Sequence, residues 1–192
     1  MRRLLSLTLL LLSQLANAQQ PIDATLLESR NELKYQKGNT VPFTGKAITW
    51  LNPGHPQIEA NYKDGLLDGV EKTWNNKGQL FSEIMFTGGK FNGKVKQYFD
   101  NGQMEFEKTY ANDYMNGLST HWYANGNKEN EGNYINCRET GKWTFWHENG
   151  QKAKEGNFTE GFEEGEWKFW DPQGNLLKSQ TFHEGTLVPR NK

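Results

Sequence analysis

The chain of 192 residues has a single cysteine, Cys137, so no disulfide can form within it. A domain of this kind holds itself together by packing, even in an oxidising compartment. Charge of one sign is also lacking: the formal net charge is −1, and no segment gathers five like charges. Nucleic acid is therefore not an expected partner, because neutralising phosphates needs a basic patch. Electrostatic capture by an anionic membrane is disfavoured for the same reason. His55, His121, His147 and His183 are too few and too scattered to suggest a metal centre. There is no Gly-x-Ser-x-Gly, Walker loop, His-Glu-x-x-His or dinucleotide fingerprint. The chain is expected to be no enzyme and to carry no cofactor.

Long hydrophobic runs are missing too, apart from Leu4 to Leu12. Nine residues fall short of the roughly 20 that cross a bilayer. Arg2 and Arg3 precede this run and Ala16-Asn17-Ala18 follows it, which is the order of a secretory signal peptide. Residues 1–18 are read as that signal, with a mature chain from Gln19 that is exported to the periplasm or beyond. The mature part carries 20 basic and 23 acidic residues, a net charge of −3.

Glycine and aromatic residues are abundant, and they recur with a fixed period. Taking Gly45 as position 0, glycine returns at Gly69, Gly93, Gly117, Gly141 and Gly165, every 24 residues. Position 5 is Trp50, Trp74, Tyr98, Trp122, Trp146 and Trp170. Position 9 is glycine in all six copies, from Gly54 to Gly174. Position 17 is Tyr62, Phe86, Tyr110, Tyr134, Phe158 and Phe182. Position 20 is Gly65, Gly89, Asp113, Cys137, Gly161 and Gly185, so Cys137 reads as a turn residue with a free thiol. Six copies without an insertion define a repeat array.

Each unit holds two short runs bounded by glycine, the spacing of a β-hairpin. Asn-Gly at positions 8 and 9 of three copies suggests a type I′ turn, but Asp171-Pro172-Gln173-Gly174 does not fit it. Proline fixes φ near −65°, which a I′ turn cannot accept. A type I turn closed by a left-handed glycine suits every copy but the first, where Asn52-Pro53-Gly54 must differ. Position 5 then pairs with position 11. Unbroken alternation from there puts positions 5 and 17 on one face, an aromatic core of twelve rings. Position 14, Glu59, Glu83, Glu107, Glu131 and Glu155, forms a solvated ladder on the other face. Its members lie two strands apart, about 9.6 Å, too far to share a metal.

Residues 19–40 form a lead-in, with Leu33 to Lys37 as a capping strand and Asp23 to Arg30 as a short helix or a mobile approach. The last two repeats carry extra rings, Trp143, Phe145, Trp167 and Phe169, on the face expected to be open. Such rings are a candidate partner-binding patch. The competing expectation is that they pack beneath the C-terminal tail, under Leu187 and Val188.

Units such as Gly-Lys-Trp-Thr-Phe-Trp-His-Glu-Asn-Gly-Gln-Lys (141–152), followed by Glu155-Gly156-Asn157-Phe158, resemble the bacterial variant of the MORN repeat. The lead-in Val41-Pro42-Phe43-Thr44-Gly45 resembles the approach to the first repeat in YwqK-type antitoxins. The resemblance covers residues 33–185. It implies a hairpin array that binds proteins or lipids without activity of its own, and the antitoxin label implies neutralising a toxin by contact. The expected fold is all-β: an elongated, single-layer antiparallel array of six hairpins over residues 41–192. The expected role is an extracytoplasmic protein-binding or scaffolding module, with a membrane surface as the alternative partner.

Overall fold

The computed structural model describes residues 20–189, so the segment read as an export signal lies outside the described residues. The lead-in contains β1 (Ile22–Asp23), one 3₁₀ turn (Ala24–Leu26), β2 (Leu27–Arg30) and β3 (Leu33–Gln36). The first three repeats contribute β4 (Gly45–Asn52), β5 (His55–Lys63), β6 (Leu66–Leu67), β7 (Gly69–Trp74), β8 (Leu80–Thr87), β9 (Lys90–Tyr98) and β10 (Met104–Ala111). The last three add β11 (Tyr114–Trp122), β12 (Lys128–Ile135), β13 (Arg138–Trp146), β14 (Lys152–Thr159), β15 (Phe162–Trp170), β16 (Leu176–His183) and β17 (Thr186–Leu187). From β4 to β17 every neighbour in the main sheet follows in chain order, except that β6 pairs with β5 beside β7. All of these pairs are antiparallel, so the expected array of consecutive hairpins is what forms.

The lead-in departs from expectation. Asp23 to Arg30 holds one short 3₁₀ turn at Ala24–Leu26, but Leu27–Arg30 is a strand that forms a hairpin with β3, which lies where the capping strand was expected. This hairpin is tied to the array through Lys34 N–H donating to Gly65 O and Phe43 N–H donating to Lys34 O. Two residues of β1 pair in parallel with Ala47 and Ile48, covering part of the first edge. An end of a repeat array needs such a cover.

The two kinds of turn differ as their sequences require. Within hairpins, Gly78, Gly102, Gly126, Gly150 and Gly174 each donate N–H to the carbonyl three residues earlier, with φ between 76° and 89°. That is the type I turn closed by a left-handed glycine. The first copy has the pair Asn52↔His55, leaving Pro53 and Gly54 as a two-residue loop. Between hairpins, positions 19 and 20 both have positive φ, as in a type I′ turn. There Cys137 has φ 65° and Asp113 has φ 71°.

One register feature overturns the expected faces. In the fifth repeat Trp146 pairs with Lys152, but Phe145 pairs with Lys154, which leaves Ala153 as an extra residue. The same bulge at position 12 recurs in all six hairpins. An extra residue reverses the alternation beyond it. Positions 5 and 17 therefore lie on opposite faces. Position 17 shares its face with positions 2 and 4, and position 5 shares the face of the glutamate ladder.

The core face is closed by rings leaning on glycines. Trp167 is 0% exposed and Trp143 is 4% exposed. A Cβ on Gly156 would overlap the indole of Trp167, and one on Gly132 the indole of Trp143. Phe158 meets both indoles edge-on, at 5.9 Å from Trp143 and 5.1 Å from Trp167. Both indole N–H groups are satisfied, by Asn133 O and Asn157 O.

This packing predicts a strongly non-additive pair. Trp167→Ala should cost about 3–5 kcal/mol, as for large aromatic truncations. Gly156→Ala should cost about 1–3 kcal/mol through overpacking. In the Trp167→Ala background the same glycine change should cost nothing or stabilise, since alanine suits a strand better than glycine. Urea unfolding of the four proteins measures the coupling. Additive costs would show that the ring does not lie on the glycine.

Candidate functional site

Two of the four residues expected to form an open patch are core residues. Trp143 and Trp167 lie beneath neighbouring rings, because the bulge turns position 2 onto the face of position 17. The tail does not cover them either: Leu187 is 48% exposed and Val188 42%. Phe145 and Phe169 stand at the margin of this core, half-buried. They line a groove of about 570 Å³ with Ala153, Lys154, Leu177 and Lys178, and Trp146 and Trp170 border the same groove. The Lys154 ammonium lies 4.4 Å from the Phe145 ring centre and that of Lys178 4.8 Å from Phe169.

The opposite face is built from three columns that the strand register sets side by side. Position 14 glutamates face position 3 residues of the next repeat, as in Glu59↔Lys72, Glu83↔Lys96 and Glu155↔Lys168. Each glutamate also has a lysine at ion-pair distance. Lys72–Glu83 is 2.9 Å, Lys128–Glu131 2.5 Å and Lys152–Glu155 2.7 Å. The hydrogen bond from Lys72 holds the Glu83 carboxyl below its ordinary range, and Lys152 does the same to Glu155. The ladder is thus charge-paired as well as wet. Such pairs contribute roughly 0–1 kcal/mol each, and they leave little free charge on this face.

The position 5 rings are the third column. Trp50 is 40% exposed and the other five are half-buried. Tyr98 donates to Glu83 at 3.0 Å; burial first, then that bond, pushes its hydroxyl up to about 12. Trp146 and Trp170 are flanked by the Lys128 and Lys152 ammonium groups, at 5.7 and 5.0 Å. Whereas the core rings contact one another, no position 5 ring has a ring partner among the described residues. Nor do the indole N–H groups of Trp122, Trp146 and Trp170 find an acceptor there. Sequence reasoning placed this column in the core and so missed it as a surface. The bulge that exposes it has no residue signature, since position 12 is Gln57, Phe81, Glu105, Glu129, Ala153 and Leu177.

Among the described residues no three His, Cys, Asp or Glu side chains are placed to share a metal. Burial, with Lys108 adding to it, lowers the affinity of His121 for a proton. Cys137 is exposed and its Sγ accepts the Met115 N–H at 3.2 Å, the role that Asp113 plays toward Phe91.

The family model for the MORN repeat variant matches residues 91–112, 115–136, 139–160 and 163–184. Residues 91–184 thus carry four repeats of this variant, and each matched segment is one hairpin with the start of its following turn. The two hairpins nearer the N-terminus continue the same bulged pairing outside the matched segments, the first with its shorter turn. No curated protein matches the chain. Among solved structures, a chain of the "GtfA/B complex bound to UDP and GlcNAc" is similar at 15% identity, over 58% of this chain and 22% of that one. Its TM-score of 0.27 is too low to carry an argument, and this chain spans only that minor part of its length.

One half-buried charge yields a pH test. Glu71 occupies position 2, where Trp143 and Trp167 stand in later repeats, and burial raises its carboxyl above the ordinary range. A raised folded pKa gives stability below the unfolded value, near 4.3, that is lost as pH rises through the folded value. Glu71→Gln should therefore raise the melting midpoint at pH 7, and the gain should vanish by about pH 4. A gain equal at both pH values would mean that Glu71 is not desolvated.

Proposed function

We propose that this protein is a non-enzymatic binding module that acts outside the cytoplasm by gripping another protein on its ladder face. The observation that carries this is the position 5 column: partly exposed rings, repeated at every hairpin, with open indole N–H groups and no ring partners. Rings of this kind are typical anchors of interfaces. The MORN repeats support a repeat module for binding. Export rests on the order of residues 1–18. The resemblance to YwqK-type antitoxins narrows the role to neutralising a toxin by contact, and a toxin-like reading frame beside the gene would support it. A membrane surface is the alternative partner, for which flotation with anionic liposomes is the check.

The test begins with a partner crosslinked and purified from the exported fraction. Trp146→Ala with Trp170→Ala should weaken its binding at least tenfold, about 1.4 kcal/mol, with a small change in melting midpoint. Trp143→Ala with Trp167→Ala should instead lower the midpoint sharply. If Phe145→Ala with Phe169→Ala removes binding while the position 5 pair leaves it intact, the grip is on the two phenylalanines and the ladder face is not the site.

A further inference from the structure

We propose that Trp122, Trp146 and Trp170 form a rail for a polyproline II segment of the partner, with every third residue of that segment seated on one ring. This rests on the binding function proposed above and adds the conformation of what is bound.

The rail has a fixed step. Position 4 of each repeat lies straight across two strands from its counterpart, through Asn130↔Phe145, Phe145↔Lys154 and Lys154↔Phe169. The rings at position 5 therefore follow one another perpendicular to the strands, with no sideways offset in register. Two strand spacings give a step of about 9.6 Å. A polyproline II helix has three residues per turn and a rise of about 3.1 Å, so it repeats every ~9.3 Å. Over the two intervals from Trp122 to Trp170 the accumulated mismatch is only about 0.6 Å. An extended β-strand repeats its side chains on one face every ~6.6–6.8 Å and falls out of step at the second ring.

The chemistry agrees with the spacing. A polyproline II backbone makes no internal hydrogen bonds, so its carbonyls are free to accept. The indole N–H groups of the three rings are donors without acceptors among the described residues. Aromatic faces and proline rings pack well, which is how aromatic-lined grooves take such segments elsewhere. The flanking charges are already paired, Lys128 with Glu131 and Lys152 with Glu155. A neutral, proline-rich ligand suits this surface better than a charged one. A linear glycan is also periodic, but it would need free polar side chains for its hydroxyls, and these lysines and glutamates are engaged with each other. Tyr98 limits the rail on one side, because its hydroxyl is committed to Glu83.

The probe is fluorescein-labelled deca-proline, titrated against the mature chain and read by anisotropy. The expected result is saturable binding, weakened at least tenfold by Trp146→Ala and several-fold by Trp146→Phe, which keeps a ring but loses the N–H. Inserting one glycine at the centre of the peptide should also cost at least tenfold, because it breaks the three-residue phase. The three indole Nε1–H signals should shift in NMR spectra on addition of the peptide. No binding, or binding indifferent to Trp146 and to the inserted glycine, overturns the inference. So does binding of cellohexaose in place of the peptide. If the purified partner still needs Trp146 and Trp170 but deca-proline does not compete with it, the binding function stands and the polyproline inference alone fails.

Discussion

The structure depends on one surplus residue in each hairpin. Position 12 adds a residue to the second strand, and every side chain beyond it changes face as a result. With the bulge, positions 2, 4 and 17 gather their rings into a stack, while position 5 is delivered to the side of the ladder. Without it, both aromatic columns would compete for one face, and Trp143 and Trp167 would be stranded on the other. A single-layer sheet cannot bury both faces, so the choice of face decides which rings stabilise and which remain available.

The ring stack and the glycines beneath it are one device. Trp143 needs Gly132 and Trp167 needs Gly156, since any Cβ there would collide with the indole. The match is one-to-one along the array: position 15 is Ala60, Ile84 or Lys108 in the repeats that precede Glu71, Val95 or Ser119. It is glycine only in the two repeats that precede a tryptophan. The early repeats stack smaller groups, such as Phe86 on Phe91 and Phe91 on Tyr110, at 5.1 and 5.5 Å. The face is therefore not uniform, and its two buried indoles lie in repeats five and six.

Much of this was legible in the residues alone. The 24-residue period, the hairpin assignment and the type I turn followed from Gly69, Gly78 and Pro172 by steric argument. The departure of Pro53-Gly54 from the other turns did so too. The faces were not legible, because a bulge depends on hydrogen-bond register and leaves no fixed residue at position 12. The tryptophan–glycine pairing did leave a signal at Gly132 and Gly156, visible only when position 15 is compared with position 2 of the next repeat. The lead-in hairpin escaped because its turn, Asn31-Glu32, uses positive φ at two non-glycine residues, 50° and 67°. Of the candidate patch, Phe145 and Phe169 keep partial exposure, whereas Trp143 and Trp167 support the fold.

The division of faces is open to one direct measurement, ring-current shifts and nuclear Overhauser contacts in the NMR spectrum of the mature chain. The Hα signals of Gly132 and Gly156 should lie far upfield and show contacts to the indoles of Trp143 and Trp167. The Lys152 side chain should contact the Trp170 ring, and no contact should join Trp146 to Phe158. Contacts between the Trp146 and Phe158 rings, with unshifted glycine signals, would place both columns on one face and contradict the account.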